Sequence, residues 1–316
     1  MSSALIAGLR SVTLNLPDLA AAETFYTEVW RLRVSARGDN VIYLRGSGGD
    51  HHLLELRSIA QPASSGPATA SIAAVALRAQ SAAALAQIAV ATERFGGRII
   101  SKVAPLTEPC GGIGLTIADA DGRIFDIVHG DDLHSQAEEN RDTPIRLAHV
   151  VLNSSDTPKA QHFFEQVFGF RLIDRTAIMA FLNCNNDHHS IALGIADNNA
   201  LNHIAFVMPS VDGVMRGGGR MRDAGHAIEW GPGRHGPGNN AFNYFIDPFG
   251  VVIEYTAEVE QVDNTYRVGT PADWKWPPGR IDQWGIAAPP SPRLRQAQRE
   301  VFFEVKPSAQ ATQLEQ

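Results

Sequence analysis

Two stretches of the chain carry the same order of apolar and polar positions. One runs LRSVTLNLPDLAAAETFYTEVWRLRV from Leu9, the other LAHVVLNSSDTPKAQHFFEQVFGFRL from Leu147. With Ser11 set over His149 they align without a gap. Val12 meets Val150, Asp18 meets Asp156, Phe25 and Tyr26 meet Phe163 and Phe164, and Arg33 meets Arg171. Each copy begins with the period-2 alternation of a half-buried strand, passes an Asp-containing turn, and enters a run with helical spacing whose aromatic pair lies on the apolar face. Gly169 follows Phe168 where a left-handed helix cap is expected. A later block repeats as well: ADADGRIFDIV (118–128) lies over IDPFGVVIEYT (246–256), which puts Gly122 over Gly250, Asp126 over Glu254 and Gly97 over Gly225. The DPFG at 247–250 reads as a turn with Pro at its second position, feeding a strand of β-branched and aromatic residues. Each half therefore predicts strand–helix–strands, twice over.

Length and composition bound this picture. The chain has 316 residues, 44% of them hydrophobic, enough for two domains of ordinary size. The polar run DDLHSQAEENRDTPI (131–145) marks a join. The expected divisions are an amino-terminal domain over 1–132, a linker over 133–145, a carboxy-terminal domain over 146–262, and a lid segment with a tail over 263–316. Pro, Gly and Trp become frequent after about residue 262, and PSAQATQLEQ at the end reads as a disordered tail. Thirty-four acidic against 27 basic residues give a net charge of −7, which argues against a nucleic-acid or anionic-membrane partner. Two cysteines cannot build a disulfide framework, and no apolar run is long enough to span a membrane. With no secretory signal legible at the amino terminus, the expectation is a cytoplasmic protein.

Candidate chemistry concentrates in the second half. His149 sits in LAHVVL, His203 in LNHIAFV and Glu254 in VVIEYT, each a polar, ligand-capable residue on an otherwise apolar strand. A carboxylate buried on such a strand is costly without a cation. Two imidazoles and one carboxylate on one face form the facial triad used for non-haem Fe(II), although the same donors also suit Zn(II) or Mn(II). The first half is a control. Ser11 replaces His149, no His, Asp or Glu occurs between Leu56 and Glu93, and only Asp126 remains as a possible ligand. It is expected to bind no metal and to serve as scaffold, leaving one site per chain.

The paired repeats, over roughly residues 5–260, resemble the vicinal oxygen chelate superfamily. That resemblance implies an α+β fold of paired βαβββ modules forming two open barrel-like domains. Two further segments, His188-His189-Ser190-Ile191-Ala192-Leu193 and Gly233-Arg234-His235…Tyr244…Glu254, are similar to motifs of type I extradiol ring-cleavage dioxygenases. The resemblance implies His149, His203 and Glu254 as ligands of Fe(II), with Mn(II) as an alternative. It implies His189 as the acid–base residue, a role that suits imidazole. Tyr244 becomes a hydrogen-bond donor to substrate, and His235 lines the pocket. The partners implied are an aromatic diol and O2, converted to a muconic semialdehyde-type product by a homo-oligomer. His188 is expected to face away from the site.

Two departures bear on substrate. Gly238 stands where biphenyl-diol relatives carry an acidic residue. In RIDQWG (280–285) Arg280 is followed by Ile281, whereas relatives cleaving a catechol acetic acid carry two adjacent arginines. Arg280 and Trp284 are nonetheless the candidate substrate contacts in the lid. Alternatives are another metal-dependent member of the superfamily (isomerase, lyase or thiol transferase) and a non-catalytic binder of aromatic ligands. Other features are set aside: His51, His52 and Glu55 as surface or interface residues, Arg216-Gly-Gly-Gly-Arg220 as a loop or distorted helix rather than a phosphate loop, and Cys110 and Cys184 as non-nucleophiles.

Overall fold

The computed structural model describes residues 4–59, 69–134 and 140–304. In the first half the strands are β1 (Ile6–Leu16), β2 (Arg33–Gly38), β3 (Val41–Arg45), β4 (Leu54–Ser58), β5 (Ser71–Ala79), β6 (Arg98–Pro105), β7 (Ile113–Ala118) and β8 (Ile124–His129), with helices α1 (Leu19–Thr24) and α2 (Ala82–Arg94). The second half repeats them as β9 (Arg146–Ser154), β10 (Arg171–Arg175), β11 (Met179–Asn183), β12 (Ile191–Ile195), β13 (Leu201–Val207), β14 (Trp230–Arg234), β15 (Ala241–Ile246) and β16 (Val252–Ala257), with α3 (Thr157–Phe163) and α4 (Val211–Asp223). A short α5 (Pro292–Ala297) follows.

Each half is one eight-stranded mixed sheet, in the order β2-β3-β4-β1-β5-β8-β7-β6 and β10-β11-β12-β9-β13-β16-β15-β14. In both, two βαβββ modules meet along antiparallel central strands, β1 with β5 and β9 with β13, and neither sheet closes. The fold is α+β as the repeat implies. No helix among the described residues is long and apolar enough to cross a membrane.

Both aromatic-pair helices end in a π-turn, Phe25–Val29 and Phe164–Phe168, and Gly169 caps the second at φ 73°. These turns lock the halves together, because each packs its aromatics on the other half's sheet. Trp30 stacks on Tyr255 at 3.6 Å between ring centroids, and Phe125 meets Phe164 and Phe168 edge-on. The apolar core is consequently continuous through both sheets. The terminal segment adds a backbone clasp: Val301 O accepts from Leu201 N, and Phe302 O from Ile72 N.

The triple-glycine segment is an uninterrupted helix, correcting the expected loop or distortion. A Cβ on Gly217 would come within 2.6 Å of the Tyr255 ring, and one on Gly218 within 2.9 Å of Asn243. Glycine costs helix propensity here, and close packing of α4 on β15 and β16 offsets it. The expected disordered tail falls outside the described residues, as does 135–139 of the expected linker.

One contact between the halves is titratable. The Tyr26 hydroxyl donates to Asp247 Oδ2 at 2.8 Å, and Phe249 N and Val251 N donate to Oδ1. Burial raises the Asp247 carboxyl to about 6 despite these donors. With the folded value above the unfolded one, its stabilising contribution is fully present below pH 3.8 and is lost as pH rises through about 6. The displacement corresponds to roughly 3 kcal/mol. In urea unfolding, Asp247→Asn should therefore gain on wild type by roughly 2–3 kcal/mol between about pH 4 and about pH 7. A difference that stays constant with pH would show that the buried charge costs nothing.

Candidate metal centre

Strand register assembles the site. On β9 and β13 His203 pairs with Val151 and His149 with Ala205; on β13 and β16 Ala205 pairs with Glu254; on β15 and β16 Glu254 pairs with Tyr244. Successive side chains alternate between faces, so His149, His203, Glu254 and Tyr244 share one face while Val150, Ile204, Ile253 and Phe245 fill the opposite core. The three metal-type donors lie close together. His149 Nε2 is 3.3 Å from His203 Nε2 and 3.2 Å from Glu254 Oε2, which is itself 3.3 Å from His203 Nε2. All three side chains are buried, Glu254 completely.

This donor triangle fits a divalent cation. His149 and His203 would hold such an ion through an imidazole nitrogen each and Glu254 through a carboxylate oxygen. Without one, two imidazole nitrogens would face each other across a buried carboxylate. His203 Nδ1 is 2.8 Å from Asn202 Oδ1, which requires the hydrogen on Nδ1 and leaves Nε2 as a lone pair. Asn202 is held by Gln298 and Asn153. Burial works against the charge of Glu254, but the imidazoles of His149, His203 and His235 gathered around it keep its carboxyl well below the usual range. Burial lowers His203 to about 4, so it is neutral and ligand-ready at pH 7.

Around the triangle stand the other residues singled out in the sequence. The Tyr244 hydroxyl lies 3.4 Å from His203 Nε2 and 3.1 Å from His235 Nε2, and burial followed by the charge of Glu254 pushes it well above its ordinary pKa. His235 is 3.6 Å from Glu254 Oε1 and stacks on Phe242. The His189 ring lies 4.3 Å from that of His149. Burial, then the neighbouring His149 and His188, lowers its pKa well below normal. Gly238 adopts φ +80°, and a Cβ there would approach His189 Cε1 to 3.2 Å, so a side chain at 238 would crowd the imidazole.

Arg280 and Trp284 are less involved. Arg280 is exposed, donates to Asp282 O and lies over Trp276; Trp284 is 39% exposed beneath Arg234. Their stretch does reach the site's edge, because Gln283 Nε2 donates to His235 O at 2.6 Å.

Two expectations are corrected. His188 does not face away into a bland environment: it is fully buried, with Nε2 2.7 Å from Asp174 Oδ2 and Nδ1 3.0 Å from His189 Nδ1. His52 and Glu55 are not surface residues, being 1% and 3% exposed. They line the corresponding face of the first sheet, where register places Ser11, Ala74 and Asp126 at the positions of His149, His203 and Glu254. His51, His52 and Cys110 do gather there. Arg10 enters that group, 2.9 Å from Cys110 Sγ and 2.6 Å from Glu108, so a cation is already in place. Sequence reasoning missed Asp174, Asn202 and Asn240, whose Nδ2 donates to Glu254 Oε1 at 3.4 Å. Of these only Asn202, directly before His203, carried a local signal.

Residues 146–255, which contain all three donors, match the model of the Glyoxalase/Bleomycin resistance protein/Dioxygenase superfamily. A Mn(II)-bound glyoxalase from Novosphingobium aromaticivorans is 32% identical across 98% of this chain and 99% of its own, with a TM-score of 0.84. The chain belongs to this superfamily. Within the superfamily, Metapyrocatechase 2 of Cupriavidus necator is 31% identical over 203 residues, 61% of this chain and 59% of that protein. The chain thus spans under two thirds of that curated relative. Biphenyl-2,3-diol 1,2-dioxygenase of Metapseudomonas furukawaii is 28% identical over 221 residues, 61% of this chain and 71% of its own. Homoprotocatechuate 2,3-dioxygenase of Arthrobacter globiformis shares the superfamily fold at 22% identity, covering 98% of this chain and 96% of that one with a TM-score of 0.81.

Proposed function

We propose that the chain is an extradiol dioxygenase that opens a catechol-type ring with both atoms of O2, giving a muconic semialdehyde-type product. The observation that carries this reading is the setting of the donor triangle: His189, Tyr244 and His235 stand around it, a proton-handling set that metal binding alone does not need. His149, His203 and Glu254 would hold the metal, Fe(II) with Mn(II) as the alternative. When bound, the metal supplies Lewis acidity and a path for electrons between the diol and O2. His189, neutral because it is buried, takes a proton from a substrate hydroxyl and returns it as the ring opens. Tyr244, kept protonated, donates its O–H to a substrate oxygen. The second half is the catalytic domain and the first its scaffold, its metal-type positions being Ser11, Ala74 and Asp126. With Arg280 exposed and engaged elsewhere, a substrate without a carboxylate is favoured.

A second reading, a metal-dependent isomerase, draws support from the end-to-end likeness to the Mn(II)-bound glyoxalase. Oxygen uptake separates them. Protein purified without air should hold about one metal ion per chain, as one donor triangle requires. It should consume O2 and turn catechols yellow, those lacking a carboxylate best. No O2 uptake with any catechol, together with isomerisation of a thiohemiacetal, would establish the second reading instead.

A further inference from the structure

The corrected position of His188 opens a question that metal binding leaves unanswered: which nitrogen of His189 carries its hydrogen. We propose that Asp174 and His188 form a buried positioning relay that holds His189 with its hydrogen on Nδ1, so that Nε2 is a bare lone pair for the substrate. The proposal rests on the dioxygenase reading only for what His189 then does.

Asp174 is fully buried, and an ionised carboxylate only accepts. It receives the Gly269 N–H on Oδ1 at 2.6 Å and the Tyr266 hydroxyl on Oδ2 at 3.1 Å. His188 Nε2, 2.7 Å from the same Oδ2, therefore carries a hydrogen and donates it. A neutral His188 then has a lone pair on Nδ1. His189 Nδ1, 3.0 Å from His188 Nδ1, must supply the hydrogen of that contact. Its own hydrogen is thus committed inward, and Nε2 is left free for chemistry. Second partners of this kind fix the tautomer of an imidazole and its orientation.

The repeat supplies a control within the same molecule. His51 and His52 keep the pairing of the two imidazoles, with Nδ1 atoms 3.0 Å apart and rings 5.3 Å apart at 90°, against 5.2 Å and 90° for His188 and His189. Tyr43 lies against His52 as Phe181 lies against His189, both at 5.0 Å. The twin of Asp174 is Ala36, which pairs with Tyr43 across the same bulge that sets Asp174 against Phe181. The imidazole pair thus belongs to the fold, whereas the carboxylate occurs only in the half with the donor triangle. Tyr266 and Gly269 lie beyond the sheet in the carboxy-terminal segment, so the docking of that segment against β10 completes the relay.

Asp174→Asn tests this. Its oxygen keeps the Gly269 bond, its amide faces His188, and the hydrogen order reverses: His188 accepts on Nε2 and donates from Nδ1, and His189 is left with its hydrogen on Nε2. Nitrogen-15 NMR of the imidazoles, on the full chain loaded with Zn(II), should show His189 switching from the Nδ1–H to the Nε2–H form, its signals assigned with His189→Phe. Metal content should be unchanged, and kcat should fall about 10²–10⁴-fold with KM little altered, as when isosteric Asn inverts the histidine of a catalytic triad. Tyr266→Phe, which keeps the carboxylate, should retain the wild-type tautomers. Unchanged tautomers in Asp174→Asn would overturn the relay, as would switched tautomers with full turnover. Because NMR reads the tautomer without turnover, a wild type that cleaves no catechol would sink the dioxygenase reading while leaving the relay to be judged on its own signal.

Discussion

Glu254→Ala should lose the metal and ring cleavage together. Glu254 brings the one negative charge among the three donors, at a position with no solvent exposure. Removing one partner of a buried charge pair costs about 3–5 kcal/mol, a drop of roughly 10²–10⁴-fold in affinity for a cation at this site. Without metal the effect should be smaller. The carboxylate is desolvated, yet the surrounding imidazoles and the Asn240 amide favour its charge, so truncation should cost the metal-free protein less stability than it costs the metal-loaded one. Metal analysis after dialysis and thermal unfolding with and without metal check both halves of the expectation. A variant that keeps its metal through dialysis would mean that the triangle is not the binding site.

His189→Phe should separate holding the metal from using it. Phe retains the ring volume that packs at 5.0 Å against Phe181, and His189 supplies none of the three converging donor atoms. Metal content should stay near one per chain. Turnover should fall about 10²–10⁴-fold, the usual worth of a positioned acid–base group. The His188 lone pair is left without its donor, which costs about 1–3 kcal/mol of stability. Loss of the metal in this variant would place His189 among the ligands and undo the division of roles.

These two expectations rest on residues that were legible in the sequence, for a definite reason. A strand has a side-chain period of two, so one polar position on each of several apolar strands declares a shared face before any pairing is known. The internal repeat then gave topology, since two copies of one module must each bury an equivalent face. His149, His203 and Glu254, and the setting of His189, His235 and Tyr244 around them, follow from local pattern together with family resemblance.

Packing decided the rest. Nothing near Asp174 in sequence signals that it meets His188 fourteen residues away and Tyr266 ninety-two residues away. Its role arises where an edge strand is joined by a segment from beyond the sheet. His51 and His52 look exposed in a linear reading because their partners Tyr43, Cys110 and Arg10 arrive from three other places in the chain. Arg216 to Arg220 looks like a poor helix until Tyr255 and Asn243 are seen pressed into the space that the missing side chains leave. The repeat, the sheet faces and the donor types depend on periodicity within single elements, so they can be read along the chain. Which imidazoles are buried, which carboxylate orients them and which half already holds its own cation depend on contacts between elements distant in sequence, so these emerge on folding.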